Sequence, residues 1–363
     1  MRSAVVADGF AIRAEADTIG LNQPTRVAER PFTAAGPWSL VARHARPVAV
    51  ATVACLVALL VIEIAVFRSG FFIGHVSFSS PDFPAAKLAL ARRFTDSRVL
   101  YVGDSTVMTG IMPTVVTDIC RCGPGFNAGF GAASPWLTAA ITRRVLEFEH
   151  PSLVVVGISP WYLGSGARFA AGPYVSELLT PAESAALGVP MDFSAVADAR
   201  AADLWSAYGQ RVLVKEWLAS LVPGQAYDVS QRGYYSVPGT LLSRSQLEAA
   251  AAVMDPDPTG TPIPDGAGAA VLAQLFSEIR ARGIDLAIVV PPFHPAATEL
   301  TGDYLPKAEV ALRDFAAAQG VTVLDCRRTI APSDFRDLYH LNRDGAAKYS
   351  SCIGALLAGS PPS

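Results

Sequence analysis

The sequence predicts a three-layer α/β/α sandwich on a mainly parallel sheet, preceded by one apolar helix. Beyond residue 96, short and nearly continuous apolar runs alternate with stretches of helical period, as strands covered on both faces and their crossover helices do. Gly, Pro, Ser or Asp stands at the junctions between them. At 363 residues the chain is long enough for one sizeable core with appendages, and it contains no internal repeat. A formal net charge of −3 with 17% charged residues leaves nothing basic enough to track nucleic acid.

Residues 1–46 show no sustained period and scatter Gly, Pro and Thr among charges, which reads as a disordered tail. Residues 47–67, PVAVATVACLVALLVIEIAVF, carry a single charge, Glu63. At about 1.5 Å per residue, a helix of this length crosses a hydrocarbon core of roughly 30 Å. All six basic residues among the first 46 are arginines, two of them (Arg43 and Arg46) just before the span, and Arg68 alone stands just after it. That bias puts the tail in the cytoplasm and everything beyond residue 68 outside the inner (cytoplasmic) membrane. A cleaved signal peptide is the competing reading, but the leading segment is too long for an n-region and no small-x-small site follows. A buried core helix fits less well, because the run is apolar on every face. Residues 68–95, with FSSPDF in the middle, read as a linker and lead-in helix.

RVLYVG (98–103) is a buried strand ended by Gly, and residues 105–119 read as a helix despite Pro113. GFNAGF (125–130) is a second short strand running into a Gly-rich turn. In SPWLTAAITRRVLEFEH, Leu137, Ile141, Val145 and Phe148 share one helical face, with Ser134 as N-cap and Pro135 at the first helical position. SLVVVGIS (152–159) is the third strand. Residues 164–265 then break the rhythm as an insertion, with one or two helices over 195–222 and a Pro/Gly-rich loop after them. Beyond it come an amphipathic helix over 268–283, a strand in DLAIVVPP (285–292), a helix near 303–318, a strand in GVTVLDC (320–326) and a last helix that closes the domain near residue 358. An insertion after the third strand lies over the carboxyl rim of the sheet, where ligands bind.

Of five cysteines, Cys55 lies in the span, leaving Cys120, Cys122, Cys326 and Cys352 where oxidation is permitted. Cys120 and Cys122 lack any second ligand pair at zinc-like spacing, so disulfides are expected, with three pairings open.

The chemistry-bearing stretch is LYVGDSTVMTG (100–110), where Ser105 is either a nucleophile at a strand end or the cap of the next helix. A serine hydroxyl needs a base, most often a histidine oriented by a carboxylate. Among the five histidines, His44 is cytoplasmic by this topology, His75 lies close to the membrane and His150 precedes a strand at the wrong rim. His340 stands in the loop after the last strand with Asp337 three residues before it, a spacing that lets the carboxylate reach Nδ1 while Nε2 faces the serine. His294 in PPFHP is the other candidate base, or a rim residue contacting substrate. Trp136, Trp161 and Tyr162 stand near the rim and suit either sugar stacking or the core. Asn127 fits a turn-fixing role and Asn342 a helix cap.

The blocks VGDSTV, FNAGFGAAS and DLYHLN, in that order, resemble those of the SGNH (GDSL-type) hydrolase superfamily over roughly residues 96–358 without the insertion. The resemblance implies a flavodoxin-like sheet with Ser105 as nucleophile, His340 as base and then acid, and Asp337 as its orienter. It implies an oxyanion site made by the amides of Ser105 and of Gly131 or Ala132. The family commonly carries Gly-x-Asn-Asp after the third strand, whereas this chain has Gly157-Ile158-Ser159-Pro160, so Ser159 is the candidate side-chain donor. The anchored arrangement is similar to envelope members that handle O-acyl groups of polysaccharides, such as the alginate acetylation and DltD-like proteins. From that likeness follow an acylated glycan substrate, no metal or organic cofactor, and a multi-span acyl donor as partner if the enzyme transfers rather than hydrolyses. Glu63 is then either a docking point for that partner or an interfacial carboxylate.

Overall fold

In the computed structural model, β1 (Val99–Val102), β2 (Gly125–Asn127), β3 (Leu153–Gly157), β4 (Asp285–Val289) and β5 (Thr322–Leu324) form one parallel sheet in the order β2-β1-β3-β4-β5. The structure describes residues 37–163, 174–189, 191–236, 242–243, 245–249 and 266–359. The expected tail up to residue 36 and the Pro/Gly-rich loop of the insertion lie outside them, except for the last residues of that loop.

Side chains alternate across the sheet with period two. Leu100, Val102, Val154, Val156 and Ile288 face one layer of helices, where Leu90, Leu137, Ile141 and Phe276 pack. Val99, Tyr101, Val155 and Val289 face the other, packing with Ile111, Val116, Tyr349 and Ile353. Both faces are therefore sealed, as the near-continuous apolar strands required.

The chain divides into two units, Met1–Val57 and Ala58–Ser363. An α-helix over Pro37–Ile62, extended by a π-helical turn over Glu63–Arg68, contains one stretch (Pro47–Arg68) long and apolar enough to cross a membrane. Helix begins ten residues before the expected span, so residues 37–46 are not part of a structureless tail. The segment expected to be a linker is also part of the fold. Phe72, Val76, Phe78 and Phe83 are buried in the larger core cluster. The helix α1 (Pro84–Ala91) buries Leu90 and Lys87 completely. The Lys87 ammonium donates to the carbonyls of Asn127 and Gly233, and burial pushes its pKa down to about 7. The two carbonyls satisfy the buried ammonium, which is how a helix carrying a lysine becomes part of the core.

The single helix expected over 105–119 is two, α2 (Ser105–Gly110) and α3 (Pro113–Cys120). The missing N–H and fixed φ of Pro113 suit the first turn of a helix and not its interior. In the insertion, α4 (Phe193–Leu204), α5 (Ser206–Gly209) and α6 (Arg211–Ser220) occupy the predicted helical stretch. The final helix, α7 (Arg343–Leu357), is capped by Asn342, whose Oδ1 accepts the Gly345 amide at 2.9 Å.

The four cysteines beyond the apolar span pair as Cys120–Cys122 and Cys326–Cys352, leaving Cys55 free. The second bridge ties the end of β5 to α7 across 26 residues. Closing a loop of that length is worth about 3.5 kcal/mol through the unfolded state. The double variant Cys326→Ser, Cys352→Ser is expected to lose about that much stability in urea unfolding, with Cys120–Cys122, which closes almost no loop, contributing far less.

Candidate active site

β1 delivers Gly103, Asp104 and Ser105 to the carboxyl edge of the sheet, at the point where strand order reverses between β1 and β3. Asp104, not Ser105, caps α2, with its Oδ1 accepting the Thr106 amide at 2.9 Å. That leaves the Ser105 hydroxyl free for other work. The tight entry requires glycine on the neighbouring strand, since a Cβ on Gly157 would lie 2.1 Å from Val107 Cγ2.

His340 and Asp337 come from the loop between β5 and α7. An antiparallel bridge from Phe335 to Leu341 and a 2.8 Å hydrogen bond from the Arg336 amide to the His340 carbonyl close that loop into a tight turn. Inside it, Asp337 Oδ1 accepts the amides of Tyr339 (3.0 Å) and His340 (2.7 Å). Asp337 Oδ2 lies 2.8 Å from His340 Nδ1, and His340 Nε2 lies 2.8 Å from Ser105 Oγ. Burial by itself would raise the Asp337 carboxyl, but the hydrogen bond and charge of His340, with the two amides, bring it below its ordinary value. An ionised Asp337 makes Nδ1 the protonated nitrogen, so Nε2 accepts the Ser105 hydroxyl proton.

A second carboxylate lies beside this chain. Asp104 is fully buried and accepts four hydrogen bonds: from Thr106 N (2.9 Å) and Thr106 Oγ1 (2.6 Å) on Oδ1, and from Ser159 Oγ (2.6 Å) and Trp161 Nε1 (3.0 Å) on Oδ2. Burial raises its pKa, opposed by the Ser159 and Thr106 donors and by the charge of His340. The network stitches the end of β1 to the end of β3.

It also corrects the expected oxyanion donors. The Ser159 hydroxyl is buried and spent on Asp104, so it does not point to the nucleophile's oxygen. The Gly131 amide donates to the Asp82 carbonyl at 3.0 Å, because the supposed linker crosses the rim there. Among the described residues, the amides of Ser105 and Ala132 meet no hydrogen-bond partner. Ala132 holds a left-handed φ of 54°, a strain for alanine that clusters at functional sites. Its loop is held to the nucleophile's turn by the Phe130 amide on the Gly103 carbonyl, 3.3 Å, and by Asn127, whose side-chain amide donates to Val107 and Ile111 carbonyls at 2.8 Å each.

The expected substrate contacts divide. Trp136 is core, with its indole N–H donating to the Leu187 carbonyl at 3.2 Å, so it holds the insertion rather than a sugar. Tyr162 is likewise buried, bonded to Thr138. His294 caps the helix Pro295–Thr301: Nδ1 accepts the Ala296 amide at 3.1 Å, and its own amide donates to Leu338, so its work is to brace the His340 loop. Trp161 stays at the rim, half-buried, edge-on to Phe293 and Tyr339. Tyr339, whose ring centroid is 4.3 Å from that of His340, and the buried Asp104 were not singled out by sequence reasoning. Adjacency to His340 and Ser105 was the only available signal.

No protein-family model and no curated protein matches the chain. Among solved structures it is similar to an acetyl xylan esterase, at 11% identity and TM-score 0.36 over 71% of this chain and 98% of that one. It is similar to a lipase/acylhydrolase from Enterococcus faecalis, at 11% identity and TM-score 0.37 over 74% and 98%. A carbohydrate acetylesterase family member from Sinorhizobium meliloti shows 13% identity and TM-score 0.31 over 72% and 99%. The strand order of the unit Ala58–Ser363, its Gly-Asp-Ser entry and the Asp-x-x-His loop facing that entry are the arrangement that the sequence resemblance to SGNH (GDSL-type) hydrolases led one to expect.

Proposed function

We propose that the chain is a membrane-anchored serine esterase or acyltransferase working outside the cytoplasm on O-acyl groups, acetyl first among them, of an envelope or exported polysaccharide. The observation that carries the chemistry is the unbroken hydrogen-bond chain from Asp337 through His340 to Ser105. His340 Nε2 takes the Ser105 proton as Oγ attacks the ester carbonyl, and the amides of Ser105 and Ala132 receive the oxyanion. His340 then protonates the departing sugar oxygen. The acyl group on Ser105 passes to water or to another hydroxyl, with His340 again as base. The side chains of this scheme need no metal or organic cofactor. The sugar component is supported by the sequence resemblance and by the half-buried aromatics Trp161, Tyr339 and Phe293 beside the site, whose flat faces suit a pyranose.

One observation favours a second reading, a fold kept for binding without turnover: the side-chain donor expected for the oxyanion, the Ser159 hydroxyl, is engaged by Asp104. Each missing donor costs about 2.7 to 4 kcal/mol of transition-state stabilisation. A fluorophosphonate probe separates the readings. Covalent labelling of the native chain and none of Ser105→Ala is expected; an unlabelled native chain would establish the silent reading. Acetate release from acetylated envelope polysaccharide, set against hydrolysis of aryl esters, tests the substrate, and indifference to glycans would replace it with a lipid or thioester.

A further inference from the structure

The end of the apolar span is gripped by the insertion. Glu63 is buried, and its carboxylate accepts the amides of Ser206 (2.6 Å) and Ala207 (2.9 Å) and the Arg68 Nε–H at 3.1 Å. Arg68 in turn donates to the Leu204 carbonyl at 2.7 Å, and Gln210 to that of Phe67 at 3.3 Å. Glu63 is thus consumed within the chain and is no docking point for a partner. These bonds fix residues 204–210 at the level where the apolar stretch Pro47–Arg68 ends.

At that level the insertion exposes large apolar side chains. Leu204, whose carbonyl accepts from Arg68, is 78% exposed, and Trp205, between it and the Ser206 that bonds Glu63, is 50% exposed. Phe71, just past the span, is 57% exposed. Leu218 near the end of α6, and Leu221 and Val222 just past it, are all exposed, and the adjacent Trp217 stacks edge-on against Phe72, which itself packs on Phe67 of the span's last turn. In water such a set would be a liability, whereas at a bilayer boundary it is at home, and a tryptophan with a wet N–H is the residue found there.

We infer that this surface, centred on Trp205 with Leu204, Leu218, Leu221, Val222 and Phe71, sits in the headgroup and upper acyl region of the bilayer that the helix spans. The inference rests on the anchored reading above. It makes the insertion a second, monotopic membrane contact beside the transmembrane one, with the apolar face buried about 5–10 Å below the surface.

The test uses the full chain reconstituted in phosphatidylcholine vesicles whose lipids are brominated near the headgroup. Bromine-dependent quenching of tryptophan emission is expected to fall at least twofold in Trp205→Phe, with far-UV circular dichroism unchanged. In the unaltered chain, bromines near the headgroup should quench more than bromines at the chain ends. Carbonate extraction reports the anchor separately. A carbonate-resistant chain whose quenching is the same with and without Trp205, or is no stronger for shallow bromines, would overturn the lipid seat while leaving the anchor standing. A chain released by carbonate would overturn both.

Discussion

His340→Ala is expected to lower kcat/KM on a short-chain ester by on the order of 10⁵ to 10⁶, and Asp337→Asn by on the order of 10⁴. Removing the imidazole takes away the base that, among the described residues, is hydrogen-bonded to Ser105 Oγ. Replacing the carboxylate by an amide leaves the turn largely intact but presents an N–H₂ group or a neutral oxygen to Nδ1, so that the wrong tautomer faces the serine. The double variant should be no worse than His340→Ala alone, because the three groups act as a unit. Steady-state rates on the purified full chain read both effects, and additive losses would break the assignment. The same loop should also show in stability against pH. Asp337 has its folded pKa below the ordinary 3.8, so its contribution is fully present above that value and is lost as pH falls through the folded pKa. Acid unfolding of Asp337→Asn should therefore show a shallower loss below about pH 4 than the native chain.

Asp104→Asn is expected to destabilise the fold by about 1 to 3 kcal/mol and to reduce the ester rate by on the order of 10². Each carboxylate oxygen of Asp104 accepts two donors, so either orientation of an asparagine turns its amide nitrogen against two of them. The hydroxyls of Ser159 and Thr106 can rotate to accept, whereas the Trp161 indole and the Thr106 amide cannot. A buried donor left unsatisfied costs about 1 to 3 kcal/mol. The loss of rate follows because the same network holds the turn of Ser105 against the end of β3. Urea unfolding and kinetics on one preparation check both halves. A stable, fully active Asp104→Asn would mean that the network positions nothing.

The local patterns were legible in the sequence. Period and junction residues placed β1 to β5 and the order of the helices between them, because strand and helix periods are properties of consecutive residues. The Asp-x-x-His loop was legible for the same reason: its carboxylate and imidazole are three residues apart on a turn that closes on itself. The apolar span needed only length and the absence of charge. What depended on distant chain segments was decided by tertiary structure alone. No local signal says that residues 72–91 are core, that Asp82 takes the Gly131 amide, that Ser159 turns to Asp104 rather than to the nucleophile, or that Cys326 pairs with Cys352. A hydrogen-bond donor satisfies whichever acceptor the fold brings to it, and that acceptor can lie far along the chain, as Asp104 does from Ser159 and Glu63 from Ser206.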